Sequence, residues 1–109
     1  MIITVPLQKK LRETILETSL FKARRLEIEP GQFVPWHYHT RCTDIILPIA
    51  GNAILKVEEE EIELLSNNFY IVEVNKKHSI ENTGKNSFFY LLFQAGSYDF
   101  ISCDTPSWG

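Results

Sequence analysis

Three histidines are the whole imidazole complement of this chain. Two of them, His37 and His39, stand one residue apart in the segment PGQFVPWHYHTRCTDIILPIAG (30–51). In an extended strand, residues two apart point to the same face, so both rings project together, roughly 6–7 Å apart at the backbone. Two imidazoles so placed can converge on one metal ion at about 2.0–2.1 Å each. Trp36 and Tyr38 then face the other way, into packing or an interface. A third ligand has to come from a neighbouring strand. Asp44 follows the short connection TRCT and can fold back alongside, and His78 opens a later strand that can close the site.

The elements that must position these residues read mostly as β. FKARRLEIEPG (21–31) alternates imperfectly and stops at Pro-Gly. FVPWHYH (33–39) is rich in aromatics, and TDIILPIAG (43–51) is a β-branched run ending in glycine. NAILKVEEEEIELLSNN (52–68) reads as two short strands around an acidic turn. FYIVEV (69–74), HSIEN (78–82) and SFFYLLFQ (87–94) are three more, the last two joined by NTGKN (82–86) as a hairpin loop. The only candidate helix is LQKKLRETILE (7–17), with Leu7, Leu11 and Ile15 on one face. The same stretch also suits a first strand pair, the preferred reading because every later element is a strand. About eight short strands with turns every 6–12 residues predict an all-β barrel or sandwich with little or no helix. Pro48 within a strand implies an edge or a bulge. The tail SYDFISCDTPSWG places Tyr98, Phe100 and Trp108 on the exterior or against a neighbouring subunit.

Chain length fits one domain, residues 1–109. A net charge of −3 gives no electrostatic reason to expect nucleic acid or an anionic membrane as partner. No apolar run of about 18 residues is present, so no spanning helix is expected. The N-terminus lacks the basic-then-apolar order of a secretory signal. Two cysteines, Cys42 and Cys103, show no disulfide framework, and a reduced, cytoplasmic setting is the default expectation.

The histidine pattern resembles the cupin superfamily. Gly31-x5-His37-x-His39-x4-Asp44-x6-Gly51 is similar to the first cupin motif (31–51), with Asp where that motif has Glu. Asn67-x5-Glu73-x-Asn75-x2-His78-x3-Asn82 is similar to the second (67–82), keeping its His and final Asn. There Asn67, Glu73 and Asn75 replace Gly, Pro and Gly, and asparagine tolerates left-handed backbone better than most residues. The resemblance covers roughly residues 20–95. It implies a small jelly-roll β-barrel, one divalent transition metal (Fe, Mn, Ni, Cu or Zn) on His37, His39, Asp44 and His78, and a homodimer.

Asp44 has a side chain about 1.5 Å shorter than Glu. It can ligate directly, act through a water, or hydrogen-bond a ligand histidine. Cys42 has the same strand parity as Asp44, with a buried inert thiol the plainer reading. Asn82 is read as stabilising its turn. If His78 points inward, so does Ile80, and across the expected hairpin Tyr90, Leu92 and Gln94 share that face. These four would line an apolar pocket for a small organic molecule, with Tyr90 the nearest thing to a general base. Two functions follow from the resemblance: a metal-dependent enzyme of dioxygenase, isomerase or cyclase type, or a non-catalytic small-molecule-binding or sensory module.

Overall fold

A computed structural model describes residues 2–6 and 11–104. Ten strands and no helix occur among the described residues. They are β1 (Arg12–Thr18), β2 (Phe21–Ile28), β3 (Phe33–Tyr38), β4 (Cys42–Ala50), β5 (Ala53–Val57), β6 (Glu60–Glu63), β7 (Tyr70–Val72), β8 (His78–Asn82), β9 (Phe88–Gly96) and β10 (Ile101–Ser102). All pairings are antiparallel, in two five-stranded sheets ordered β1-β2-β9-β4-β7 and β10-β3-β8-β5-β6. Only β1/β2 and β5/β6 join strands consecutive in sequence within one sheet. Every other connection changes sheet, which is how a jelly roll keeps its two inner faces opposed.

Period-2 burial explains the core. Cys42, Asp44, Ile46 and Pro48 of β4 point inward, as do Phe88, Tyr90, Leu92 and Gln94 of β9. Leu26, Ile28, Leu55, Ile80 and Val72 meet them from the other strands. Of the segment 7–17, residues 12–17 belong to β1, so the strand reading holds there; Leu7 lies outside the described residues. Trp108, Pro106 and Gly109 also lie outside them. The acidic turn falls at Glu58 and Glu59, between β5 and β6.

Two local expectations fail for one reason. NTGKN is not a hairpin: β8 and β9 belong to different sheets, so the loop is a crossover. Asp44 likewise does not lie alongside the His37 strand but faces it from the opposite sheet. Strand pairing is a long-range property that short loops do not dictate when two sheets stack.

Backbone conformation at the motif positions has a steric basis. Asn67 and Asn75 adopt φ of 68° and 64°, the left-handed region that asparagine tolerates. Gly51 (φ +93°) has no such substitute, because a Cβ there would meet the Ser87 carbonyl oxygen at 2.5 Å. Pro48 lies in β4 beside a register shift against β9, between Pro48 and Ala50. Its missing N–H therefore falls where the ladder is already broken.

Asn82 secures the crossover. Its buried amide donates to the carbonyls of Ile28 (2.8 Å) and Asn86 (2.9 Å), and its Oδ1 accepts from the Gly84 N–H (2.9 Å). Asn82→Ala leaves two carbonyls and an N–H without these partners. It should cost on the order of 3 kcal/mol in urea unfolding, with metal affinity retained. A loss below about 0.5 kcal/mol would remove this role.

Candidate metal centre

His37 pairs directly with His78 across β3 and β8, so the two rings stand side by side, centroids 4.2 Å apart. A bulge lies just before: Val34 pairs with Ile80 and His37 with His78, three steps on β3 against two on β8. The extra residue lets Val34 and His37, of opposite parity, both face the cavity. His39 sits one residue past β3, its ring centroid 4.9 Å from that of His37. Asp44 reaches the same point from β4 of the facing sheet. All four residues are buried, and one ligand atom from each lies within 4.8 Å of the others.

Backbone carbonyls fix the ring tautomers. His37 Nδ1–H donates to the Pro35 carbonyl (2.7 Å), His78 Nδ1–H to that of Lys76 (2.8 Å), and His39 Nδ1–H to that of Asp99. A carbonyl only accepts, so each Nδ1 carries the proton. Each neutral ring then turns an Nε2 lone pair away from its backbone partner. Asp44 Oδ2 stands 3.2 Å from His39 Nε2 and 3.1 Å from His78 Nε2. Asp44 Oδ1 accepts from the Gln94 amide at 3.1 Å, which fixes the carboxylate plane.

Lone pairs facing a carboxylate oxygen at that range repel unless a positive species joins them. In the absence of a metal, a proton can fill that role. Burial lowers the affinity of His39 for it, but the hydrogen bond and charge of Asp44 outweigh this and shift its pKa upward. Burial opposes the Asp44 charge too, yet the His39 and His78 hydrogen bonds hold its carboxyl well below the usual range. His37 behaves differently: burial, then the neighbouring His78, push it down to about 4. The donor set equally fits a metal. Three imidazole nitrogens and one carboxylate suit a divalent transition ion, and 3.1–3.2 Å is the separation of adjacent ligand atoms each about 2.0–2.2 Å from a common centre. The group His37, His39, Asp44 and His78 can therefore hold a metal ion.

The centre opens on a cavity of about 560 Å³ between the sheets. Ile80, Tyr90, Leu92 and Gln94 all line it. The three β9 residues arrive there because the facing sheet turns its inner side to β8, not through a hairpin. Tyr98 and Phe100 refine the reading of the tail: both are exposed, as expected, but at the cavity and not on a plain outer wall. They border the cavity, with Phe100 stacked on His37 (centroids 4.4 Å, interplanar 14°) and Tyr98 5.9 Å from His39. Pairing of β10 with β3 brings them in, at Ile101–Tyr38 and Ser102–His37. Their one detectable signal was spacing: two aromatics two residues apart, just before β10. Cys42 is buried and Cys103 half-buried, both are free, and burial raises the Cys42 pKa.

These shifts set the pH response of chelator-treated protein. The unfolded His37 protonates near 6.5, whereas the folded ring resists until about 4. Stability attributable to His37 is thus full above 6.5 and is lost as pH falls to about 4, on the order of 3 kcal/mol. His39 acts oppositely, its contribution fading as pH rises through its elevated pKa. The Asp44 contribution is lost only below the usual carboxylate range. Urea midpoints measured from pH 7 to 4 should fall less steeply in His37→Phe than in wild type, and equal slopes would contradict the assignment.

Comparison with known proteins agrees with this architecture. The cupin domain family profile matches residues 24–93. A 59-residue stretch is 32% identical to the tetracenomycin polyketide synthase protein TcmJ of Streptomyces glaucescens, spanning 54% of this chain and 40% of that protein. An uncharacterised conserved protein with a double-stranded β-helix domain from Klebsiella pneumoniae superposes with a TM-score of 0.79 at 21% identity, over 93% of this chain and 91% of that one. An RmlC-like cupin family protein from Methanocaldococcus jannaschii gives 0.76 at 18% identity, over 89% and 93%. With the profile covering most of its length and the double-stranded β-helix shared throughout, the chain belongs to the cupin domain family.

Proposed function

We propose that the protein is a metal-dependent enzyme acting on a small organic molecule. A divalent transition metal is held by His37, His39, Asp44 and His78, and the substrate lies against Ile80, Tyr90, Leu92 and Gln94. One observation carries this reading: the four buried ligand residues open directly on the cavity instead of being sealed by hydrocarbon. A structural metal is closed off by its ligands, whereas a catalytic one keeps a position open. A metal there supplies Lewis acidity or redox chemistry, which suits isomerase, cyclase or dioxygenase reactions. The partial match to a polyketide synthase protein favours a cyclic or conjugated organic substrate over a phosphoester or peptide.

The chain's own groups have definable roles in this reading. Gln94 orients Asp44, and the three backbone carbonyls orient the imidazoles. Phe100 covers His37 and limits water on that side. Tyr90 is a poor general base, because burial raises its pKa and keeps the phenol protonated at neutral pH. It serves as a hydrogen-bond donor. With Tyr90 excluded as a base, a second reading is a non-catalytic small-molecule-binding cupin using the same centre.

Elemental analysis of protein purified without an affinity tag tests the metal. Wild type should carry close to one transition-metal ion per chain, and His37→Ala with His39→Ala less than about a tenth of that, with the β-type circular dichroism unchanged. Equal metal in both would sink the proposal. His78→Ala should weaken metal binding at least as much as Asp44→Ala in a titration; the reverse order would make the carboxylate the principal ligand. Product formed from a co-purified molecule, abolished by chelation and restored by one metal, separates enzyme from binding module.

A further inference from the structure

The inner face of the first sheet carries a second polar group, beyond the His/Asp centre. The register sets it out in rows. Gln94 and Asp44 pair in the first, beside the centre. Arg24 and Leu92 pair in the next. In the third, Arg12 pairs with Leu26, and Leu26 with Tyr90. Arg24, Arg12 and Tyr90 all border the cavity.

Among the described residues, Arg24 has no counter-ion. Its Nε is withdrawn from solvent and meets no acceptor. Among the described residues, neither Arg24 nor Arg12 makes an ion pair. Glu27 and Glu29 also border the cavity, yet neither comes within ion-pair distance of these guanidinium groups. Gln94 Oε1 is buried and unpartnered as well. The Tyr90 hydroxyl has no hydrogen-bond partner among the described residues, and burial keeps it protonated as a donor. A buried, unsatisfied N–H costs about 1–3 kcal/mol, more on a charged group. Such a group is tolerated in a cavity wall when a ligand completes it.

The complement of a guanidinium beside a phenol donor is a planar oxyanion. Carboxylate matches the two-donor fork of arginine, and Tyr90 offers a further O–H. Position then sets ligand length. Arg24 lies two strands and one row from Asp44, which puts their Cα atoms about 12 Å apart, given strand spacings near 4.8 Å and two-residue rises near 6.7 Å. One compact organic acid spans the gap between an arginine side chain and the His/Asp centre.

We propose that the cavity takes an organic acid whose carboxylate is bound by Arg24, with Tyr90 donating a hydrogen bond and Arg12 adding positive charge, while its other end meets the His/Asp centre. This rests on the metal reading given above and narrows its substrate to carboxylates.

The test is calorimetric titration of the zinc-loaded full chain with 3,4-dihydroxyphenylacetate and with its neutral amide, 3,4-dihydroxyphenylacetamide. Both carry the same metal-binding catechol, and they differ only in the charge at the tail. The acid should bind at least about tenfold more tightly, the scale of one charged hydrogen bond. Arg24→Met keeps an unbranched apolar stem and removes the guanidinium, and should cut that preference below about threefold with amide affinity unchanged. Arg12→Gln, at an exposed β1 position, should lower the preference in the same direction and keeps the test alive if Arg24→Met misfolds. Equal affinity for acid and amide, binding of neither, or a preference that survives Arg24→Met overturns the proposal. Repeating the titrations on metal-stripped protein separates the two claims. Metal-dependent binding of both probes without an acid preference defeats only the carboxylate site. Acid affinity that stays unchanged without metal, with its preference over the amide intact, supports the carboxylate site and defeats the metal reading.

Discussion

Asp44 Oδ2 faces the Nε2 atoms of His39 and His78 at 3.2 and 3.1 Å, and both rings spend their Nδ1 protons on backbone carbonyls. Neutral rings would leave three acceptors pointing at one another inside a protein, which desolvation makes costly. Something positive must occupy that meeting point. The remaining geometry follows from satisfying this demand. Gln94 neutralises the outer carboxylate oxygen as an acceptor, and His37 brings a third lone pair from the paired strand.

The fold supplies the rigidity this arrangement needs. His37 and His78 come from hydrogen-bonded neighbours in one sheet, and Asp44 and Gln94 from paired strands of the other. The two sheets face each other, so ligands on opposite walls meet without any loop having to hold them. Loops contribute in a different way. The Asp99 segment accepts the His39 proton through its carbonyl, and its carboxylate accepts from the Thr40 N–H at 2.9 Å. The same segment then feeds β10, whose pairing with β3 lays Phe100 over His37. The asymmetry of the cavity also comes from the sheets. Histidines and Asp44 gather at one place, and the arginines of β1 and β2 approach from the outer strands of one sheet only.

Local chemistry was legible in the sequence, and long-range pairing was not. The strand period exposed His37 and His39 as a same-face pair, and the positive φ of Asn67 and Asn75 matches the turn role that asparagine can fill in place of glycine. Pro48 correctly marked a break in a ladder. Sheet membership was misread at NTGKN and at TRCT, because a short loop looks the same whether it closes a hairpin or crosses between stacked sheets. Tyr90, Leu92 and Gln94 reached the cavity all the same, since strand parity survives that error. The tail was placed only coarsely for a related reason: a two-residue strand leaves little periodic signal, so the pairing that brings the exposed Tyr98 and Phe100 to the cavity showed only as two aromatics two residues apart. Arg24 was passed over because an arginine in an imperfectly alternating strand reads as solvated, and only the register of β2 against β9 shows it facing inward.

Nitrogen-15 NMR of the imidazole rings, before and after adding zinc to chelator-treated protein, tests the shared centre most directly. The account predicts that all three Nδ1 atoms keep their protons throughout, and that the three Nε2 resonances move together to metal-bound values at one equivalent of zinc. Zinc shifting any Nδ1 in place of its Nε2, or leaving one of the three rings unperturbed, would contradict it.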